Sequence, residues 1–172
     1  MTEAVEATRD LLSQLAEDHP DKPAVIEDPP EGAIRRWSFA QLEANANRLG
    51  RVLLDHGVEA RDKVIWCGQN SPWIVAMIHA ARKIGAVAVP LNYRLTTEEA
   101  AYVVDNSDAV LAFTDADFAD LMQDIRPDTP KLQDVLVFDG TPLDGQESAD
   151  ELTAVADPSE LITGVEPGAA GT

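Results

Sequence analysis

The sequence predicts an α/β fold: a layered, mainly parallel sheet with flanking helices. Three observations predict it. Four short apolar runs, "KVIWCG" (63–68), "AVAVPL" (86–91), "AVLAFT" (109–114) and "DVLVFD" (134–139), lack the alternation of a half-exposed strand and suit strands covered on both faces. Helical stretches at 72–84, 96–106 and 115–125 separate them. Proline, glycine and threonine mark the joints, so strand, helix and strand recur within about thirty residues as a right-handed crossover unit.

Each element has a local reason. Residues 5–19 read as a helix with Leu11, Leu12 and Leu15 on one side. "KPAVIE" (22–27) and "AIRRW" (33–37) flank the turn material "EDPPEG", which gives a hairpin with a loose loop. Ser38 N-caps the next helix, and Gln41 three residues later completes a capping box. Leu42, Ala46, Leu49, Leu53 and Leu54 form its buried stripe, and Gly57 ends it. After the strand at 63–68 come Asn70 and Ser71, and then Pro72, which suits a first helical position. The helix 72–84 is apolar on nearly every side, as a helix held between two layers would be. Lys83 is expected to stabilise its carboxyl end through the helix dipole. Gly85 ends that helix, Ala86–Val89 enter the sheet centre, and Pro90 stops ladder pairing. Thr96 or Thr97 caps the following helix. Beyond Gly140 only "SADELTAVA" suggests a helix, and "GVEPGAAGT" has no apolar period. The domain reading is one α/β segment over 1–157, followed by a flexible end at 158–172.

Composition narrows the function classes. The chain has 172 residues, 45% hydrophobic and 26% charged, as ordinary globular proteins do. Residues 1–86 carry 13 acids and 10 bases, whereas residues 87–172 carry 18 acids and 3 bases. A surface this negative repels nucleic acid and anionic membranes, which are bound by basic side chains. It also opposes ATP and coenzyme A unless basic groups outside the chain offset it. No run approaches the ~20 apolar residues of a membrane-spanning helix. The start "MTEAVEATRD" lacks the basic-then-apolar pattern of an export signal, so a cytoplasmic setting is expected. Cys67 stands alone, and a packed, unreactive thiol is expected.

The motif search is negative. The glycines form neither a dinucleotide fingerprint nor a Walker loop, and no nucleophile elbow is present. His19 and His56 fall at helix ends, and His79 shares a helix with Arg82 and Lys83, which suggests a polar helix face. Asp115, Asp117, Asp120 and Asp124 lack the fixed glycine and terminal glutamate of a calcium loop and read as a solvated acidic face. Asn92 and Arg94 are the candidate site residues, because they follow the carboxyl end of a strand, where open α/β sheets place their ligands. A structural role competes with that one: Asn92 capping the turn, and Arg94 pairing with Glu98, Glu99 or Asp105.

The order of these pieces resembles the beginning of the ATP-dependent adenylate-forming enzymes, the AMP-binding superfamily that includes acyl-coenzyme A synthetases. "WSFAQL" (37–42) is similar to the first family motif and "RKIGAVAVPLN" (82–92) to the second. Asn92, Arg94, Leu95, Glu99, Tyr102 and Ser107 fall where the acyl-coenzyme A synthetase branch has similar residues. Arg61 replaces the glycine usual before Asp62, and Ala100 replaces a leucine. The resemblance spans roughly residues 7–140. It implies the first part of a large N-terminal domain. It also implies a reaction in which a carboxylate attacks the α-phosphate of ATP, releasing pyrophosphate, and a thiol then displaces AMP. ATP, Mg2+ and coenzyme A are implied for the full-length enzyme, none of them bound tightly by these residues alone. The family's phosphate loop ending in Pro-Lys-Gly, its Tyr/Thr-Glu motif, its ribose-binding Asp and its C-terminal lysine have no counterpart here, so no catalytic residue and no metal ligand is assigned. The implied partners are the remainder of the AMP-binding domain and a carboxylic acid, with self-association a further expectation. A second reading remains beside it, a stand-alone acidic α/β module for protein interaction.

Overall fold

A computed structural model describes residues 10–29 and 32–165. Helix α1 (Leu11–Asp18) begins at an Asp10 N-cap whose Oδ2 accepts from the Leu12 amide. The expected residues 5–9 of this helix lie outside the described residues. Leu12 is buried, but Leu11 is 59% exposed, so the short helix buries one leucine edge rather than a full stripe. Strands β1 (Pro23–Glu27) and β2 (Arg35–Ser38) pair antiparallel as the expected hairpin. Helix α2 (Phe39–Asp55) starts at the Ser38–Gln41 capping box, and Leu54 is exposed rather than part of its buried stripe.

The main sheet has five parallel strands in the order β4–β3–β5–β6–β7. They are β3 (Lys63–Cys67), β4 (Val87–Leu91), β5 (Ala109–Asp115), β6 (Asp134–Phe138) and β7 (Glu147–Ser148). Between and after them run α3 (Pro72–Ile84), α4 (Thr97–Asn106), α5 (Ala119–Ile125) and α6 (Ala149–Val155). The run at 86–91 therefore forms an edge strand, not the sheet centre. Pro90 does not stop pairing either, since it sits opposite Trp66 and Leu91 still pairs with Cys67. The Val87 amide donates to Asp62 O, so alternate residues 87, 89 and 91 face β3 and Pro90 turns its missing donor to the open edge.

Strand alternation sorts the core into two layers. Val64, Trp66, Leu111, Phe113, Leu136 and Phe138 face α2, α3 and α6, where Leu49, Leu53, Met77 and Ile84 are buried. Ile65, Ala112, Val135 and Val137 face α4 and α5, against Ala100, Val104, Met122 and Ile125. Each large side chain removed from water contributes ~1.5–3 kcal/mol, so these two layers dominate the fold's stability. Helix α3 packs on α2 and the sheet. Its other side keeps Trp73, Ile74 and Val75 half-buried and Ile78 42% exposed.

Two polar residues behave differently from expectation. Lys83 lies in the last turn of α3, where a base was expected, but it is buried and paired rather than solvated. It is 3% exposed, and its Nζ lies 2.9 Å from Ser13 Oγ and 3.0 Å from Glu43 Oε1. Packing of α2 on α3 brings Glu43 within reach, packing of α1 on α2 brings Ser13, and the two together exclude water. His79, one turn earlier, is half-buried rather than on a polar face. Its Nδ1 has no partner, and burial holds the ring below its ordinary pKa. Residues 158–165, expected as the start of a flexible end, form no helix or strand but are tied to α2 and α3 by several hydrogen bonds.

Candidate functional site

A parallel sheet brings the carboxyl ends of its strands to one edge. Helix α3 leaves β3 toward one face, while α5 leaves β5 toward the other. Because β3 and β5 are neighbours, the chain parts between them, which is where open α/β sheets form ligand crevices. A cleft of about 510 Å³ opens at that point. Gln69, Asn70 and Ser71 after β3, Tyr93 after β4, Asp115 to Asp117 after β5, and Phe138 and Asp139 at the end of β6 line it. Glu27, Asp28, Pro29 and Arg35 of the hairpin close it. Trp66, Phe113 and Phe138 stack beneath, with the Phe138 ring 5.1 Å from Trp66 and 4.8 Å from Phe113 between centroids. This aromatic layer gives the polar rim a rigid base.

Asp115 ties the two parting loops together. Its Oδ2 accepts from the Gln69 amide at 2.9 Å and its Oδ1 from the Asp117 amide at 3.1 Å. The approach requires a glycine before Gln69, since a Cβ on Gly68 would lie 2.7 Å from Asp115 Oδ2. Burial pushes the Asp115 carboxyl up from its ordinary range, against the amides that favour its charge. The neighbouring Cys67 thiol is buried and pushed up to about 12 by burial and by Asp115, which makes it a packed, unreactive group. Across the cleft, Arg35 pairs with Glu27 and donates to Asp139 Oδ2 at 2.7 Å. Glu27 above all holds the guanidinium above its ordinary pKa, and Asp139 adds to this against a lowering by burial.

The lining fixes what the cleft can hold. Glu27, Asp28, Asp115, Asp117 and Asp139 present carboxylates, and the cation Arg35 is already taken by two of them. A triphosphate would meet repulsion here, so these residues do not fit ATP. The four aspartates expected on one solvated acidic face are divided: Asp115 and Asp117 line the cleft, while Asp120 and Asp124 are exposed on α5. Asp115 is thus a loop brace rather than part of a solvated helix face. Among the described residues no group of His, Cys, Asp and Glu is arranged to hold a metal ion.

Asn92 and Arg94 flank the cleft without lining it. Asn92 Oδ1 accepts from the Arg94 amide at 3.0 Å, a short turn that ends β4. Among the described residues Arg94 makes no ion pair. Its guanidinium lies 5.1 Å over the Tyr93 ring, and Glu99, an expected partner, is committed to the Thr96 cap instead. Tyr93, between the two, lines the cleft and packs on Phe118 at 4.9 Å. Sequence reasoning placed Tyr93 in the stretch beyond the strand end without selecting it as a site residue, and passed over Arg35. Arg35 was within reach of it, because the hairpin sets Glu27 opposite Arg35 as a cross-strand charge pair.

With the geometry established, comparison with known proteins identifies the class. The profile of the family described as "AMP-binding enzyme" matches residues 12–167, and the chain belongs to that family. Among curated relatives, 3-hydroxybenzoate–CoA ligase of Aromatoleum sp. is 40% identical over 111 residues, 64% of this chain and 20% of that protein. A medium/long-chain-fatty-acid–CoA/3-oxocholest-4-en-26-oate–CoA ligase of Mycobacterium tuberculosis is 36% identical over 131 residues, 76% of this chain and 23% of that protein. Crotonobetaine/carnitine–CoA ligase of Salmonella typhimurium is 33% identical over 138 residues, 79% of this chain and 27% of its own length. The chain therefore corresponds to a part of these ligases, their N-terminal part, and spans about a quarter of their length. Among solved structures, the N-terminal domain of FACL13 from Mycobacterium tuberculosis superposes with a TM-score of 0.77 at 27% identity, covering 90% of this chain and 37% of that one. The anthranilate CoA ligase AuaEII has the same fold, with a TM-score of 0.80 at 24% identity over 88% of this chain and 28% of that chain. No helix among the described residues is long and apolar enough to cross a membrane.

Proposed function

We propose that this chain is the scaffold portion of an ATP-dependent acyl-coenzyme A ligase, with Mg2+ required by the whole enzyme. The observation that carries this reading is that curated CoA ligases for chemically different acids align with 64%, 76% and 79% of this chain. A unit common to ligases for different acids is suited to positioning, with specificity and charge stabilisation coming from other segments. The acidic lining of the cleft agrees, since it leaves the triphosphate to basic groups elsewhere. Residues 1–157 are read as the N-terminal α/β segment of the AMP-binding domain, with 158–172 leading out of it. The half-exposed side of α3 is read as a face for the remainder of that domain or, without it, for a second copy. A cytoplasmic setting, which keeps the single thiol reduced, completes the reading.

Asn92 and Arg94 enter this reading as supports. The Asn92 turn and the Arg94 guanidinium hold Tyr93 at the cleft wall, and neither residue need touch a substrate. The test is the protein translated from the uninterrupted reading frame, assayed for AMP and acyl-CoA formation with ATP, Mg2+, coenzyme A and a panel of aryl and fatty acids. Acid-dependent AMP release is expected. Its absence with every acid, in a protein that binds ATP, would overturn the reading.

A further inference from the structure

Residues 157–165 contain no helix or strand and are exposed or half-buried, yet hydrogen bonds tie them to α2 and α3. Asn47, 1% exposed on α2, donates to Pro158 O at 3.1 Å and accepts from the Leu161 amide at 3.3 Å. Arg51, one turn on, donates to Ser159 O at 2.8 Å. Thr163 Oγ1 donates to Lys83 O at 2.7 Å. Two glycines make room for the apolar side chains of this strap. A Cβ on Gly50 would lie 2.6 Å from Leu161 Cδ2, and one on Gly85 would lie 2.6 Å from Val165 Cγ1.

The polar anchors do not end at the strap. Asn47 Nδ2 also donates to Glu43 Oε1 at 3.1 Å, and that oxygen accepts from Ser13 Oγ at 2.8 Å and from Lys83 Nζ at 3.0 Å. Lys83 Nζ reaches Asp10 Oδ2 at 3.5 Å, which places α1 on the same network. Glu43 Oε2 is buried with no partner, so the carboxylate has committed one oxygen to all three donors and can relax only by moving.

We propose that this network is a conformational latch in which Lys83 is the positioning residue, coupling the seating of helix α1 to the seating of the strap at 157–165. The side chain of Lys83 holds α1 through Ser13 and Asp10, and its carbonyl holds the strap through Thr163. Glu43 and Asn47 close the loop between the two. Release of the strap strips the Asn47 side chain of Pro158 O and the Leu161 amide, so that Glu43 alone holds it and it is free to turn. That loosens the carboxylate that Ser13 and Lys83 share. Release of α1 strips Glu43 of Ser13 and leaves Lys83 poorly paired in a site from which water is excluded, where such groups are costly. The two segments, at opposite ends of the described chain, therefore order together. The latch stands on this chain's own contacts and does not depend on the ligase reading.

The test is residue-resolved hydrogen exchange on the chain of residues 1–172 and two variants. Gly50→Ala is a wedge that forces the Leu161 side chain out of its present place without touching α1, and in a helix alanine is the better residue. Lys83→Met removes the hub. The expected result in Gly50→Ala is exchange about tenfold faster or more at the Leu161 amide, together with faster exchange at the α1 amides of Gln14 and Leu15, while β5 and β6 keep their protection. Lys83→Met should accelerate the same two regions beyond any change shared by the sheet. If Gly50→Ala frees Leu161 but leaves α1 as protected as before, or if Leu161 stays protected, the coupling is wrong. Should Lys83→Met fail to fold, the Gly50→Ala result alone decides.

Discussion

Lys83 and Arg35 each sit between two carboxylates, and burial makes the two clusters different objects. Lys83, whose side chain is 2% exposed, faces Glu43 and Asp10 inside the seam of α1, α2 and α3. Arg35, 39% exposed, faces Glu27 and Asp139 at the rim of the cleft. In the seam, water cannot replace a missing partner, so removing the cation strands Glu43 and leaves Asp10 only Arg82 at 3.8 Å. At the rim, solvent screens the pair and readily substitutes for it. The same triad of charges thus serves as a structural hub in one place and as a trim of the surface in the other.

The largest effect should come from breaking the hub. Lys83→Ala is expected to cost ~3–5 kcal/mol in urea unfolding. Lys83→Met should cost less than that, because it fills the space with apolar volume. A Lys83→Ala loss no greater than that of the rim variant would erase the distinction. Arg35→Ala, the rim variant, should cost up to ~1 kcal/mol. That cost should shrink as salt is added, whereas the Lys83 effect should not follow salt.

A third base sharpens the contrast from the other side. Arg61 is exposed and adopts φ 76°, a left-handed conformation that disfavours any side chain. Its backbone rather than its charge sets its worth. Arg61→Gly should raise stability by ~0.5–1 kcal/mol, the relief of strain less the entropy that glycine loses on folding. A loss of stability would show that the guanidinium matters more than the backbone.

The smallest effects are pH slopes at two histidines, and their signs oppose. Burial tends to lower the pKa of His56, but its bonds to Val52 O and to Glu147, at 2.7 and 3.1 Å, outweigh this and raise it. Its contribution is complete below the ordinary value of about 6.5 and fades as pH rises through the raised one. Glu147→Gln should flatten that fall. His79, held below its ordinary value mainly by burial, contributes above about 6.5 and loses its contribution as pH falls through the lowered value. His79→Gln should remove the acid-side loss. Finding the two slopes with the same sign would contradict the burial assignments.

How much of this was legible in the sequence follows from the range of each interaction. The capping box at Ser38 and Gln41, Pro72 at a helix start and Gly85 at a helix end are set by neighbours within a few residues, and all three are found. The parallel strands were legible because burial on both faces leaves continuous apolar runs. Strand order was not legible. Ala86–Val89 look the same whether central or at an edge, and only the outward Pro90 hints at the answer. The burial of Lys83 was not legible because its partners Ser13 and Glu43 lie 70 and 40 residues away. For the same reason the strap at 157–165, whose anchors Asn47, Arg51 and Lys83 are distant in sequence, had no local period to betray it. At the candidate site, the strand-end rule pointed to the end of β4, beside the cleft. It selected Asn92 and Arg94, whose polarity stands out in sequence, rather than the adjacent Tyr93 that lines the cleft.

The central claim is that this unit positions ligase chemistry that other segments perform, and ATP–pyrophosphate exchange tests it most directly. Residues 1–172 are compared with the same residues joined in frame to the downstream part of a CoA-ligase relative, each with the acid which that relative takes. Acid-dependent exchange is expected from the joined protein and none from residues 1–172. Exchange catalysed by residues 1–172 alone, lost when that chain is denatured, would contradict it.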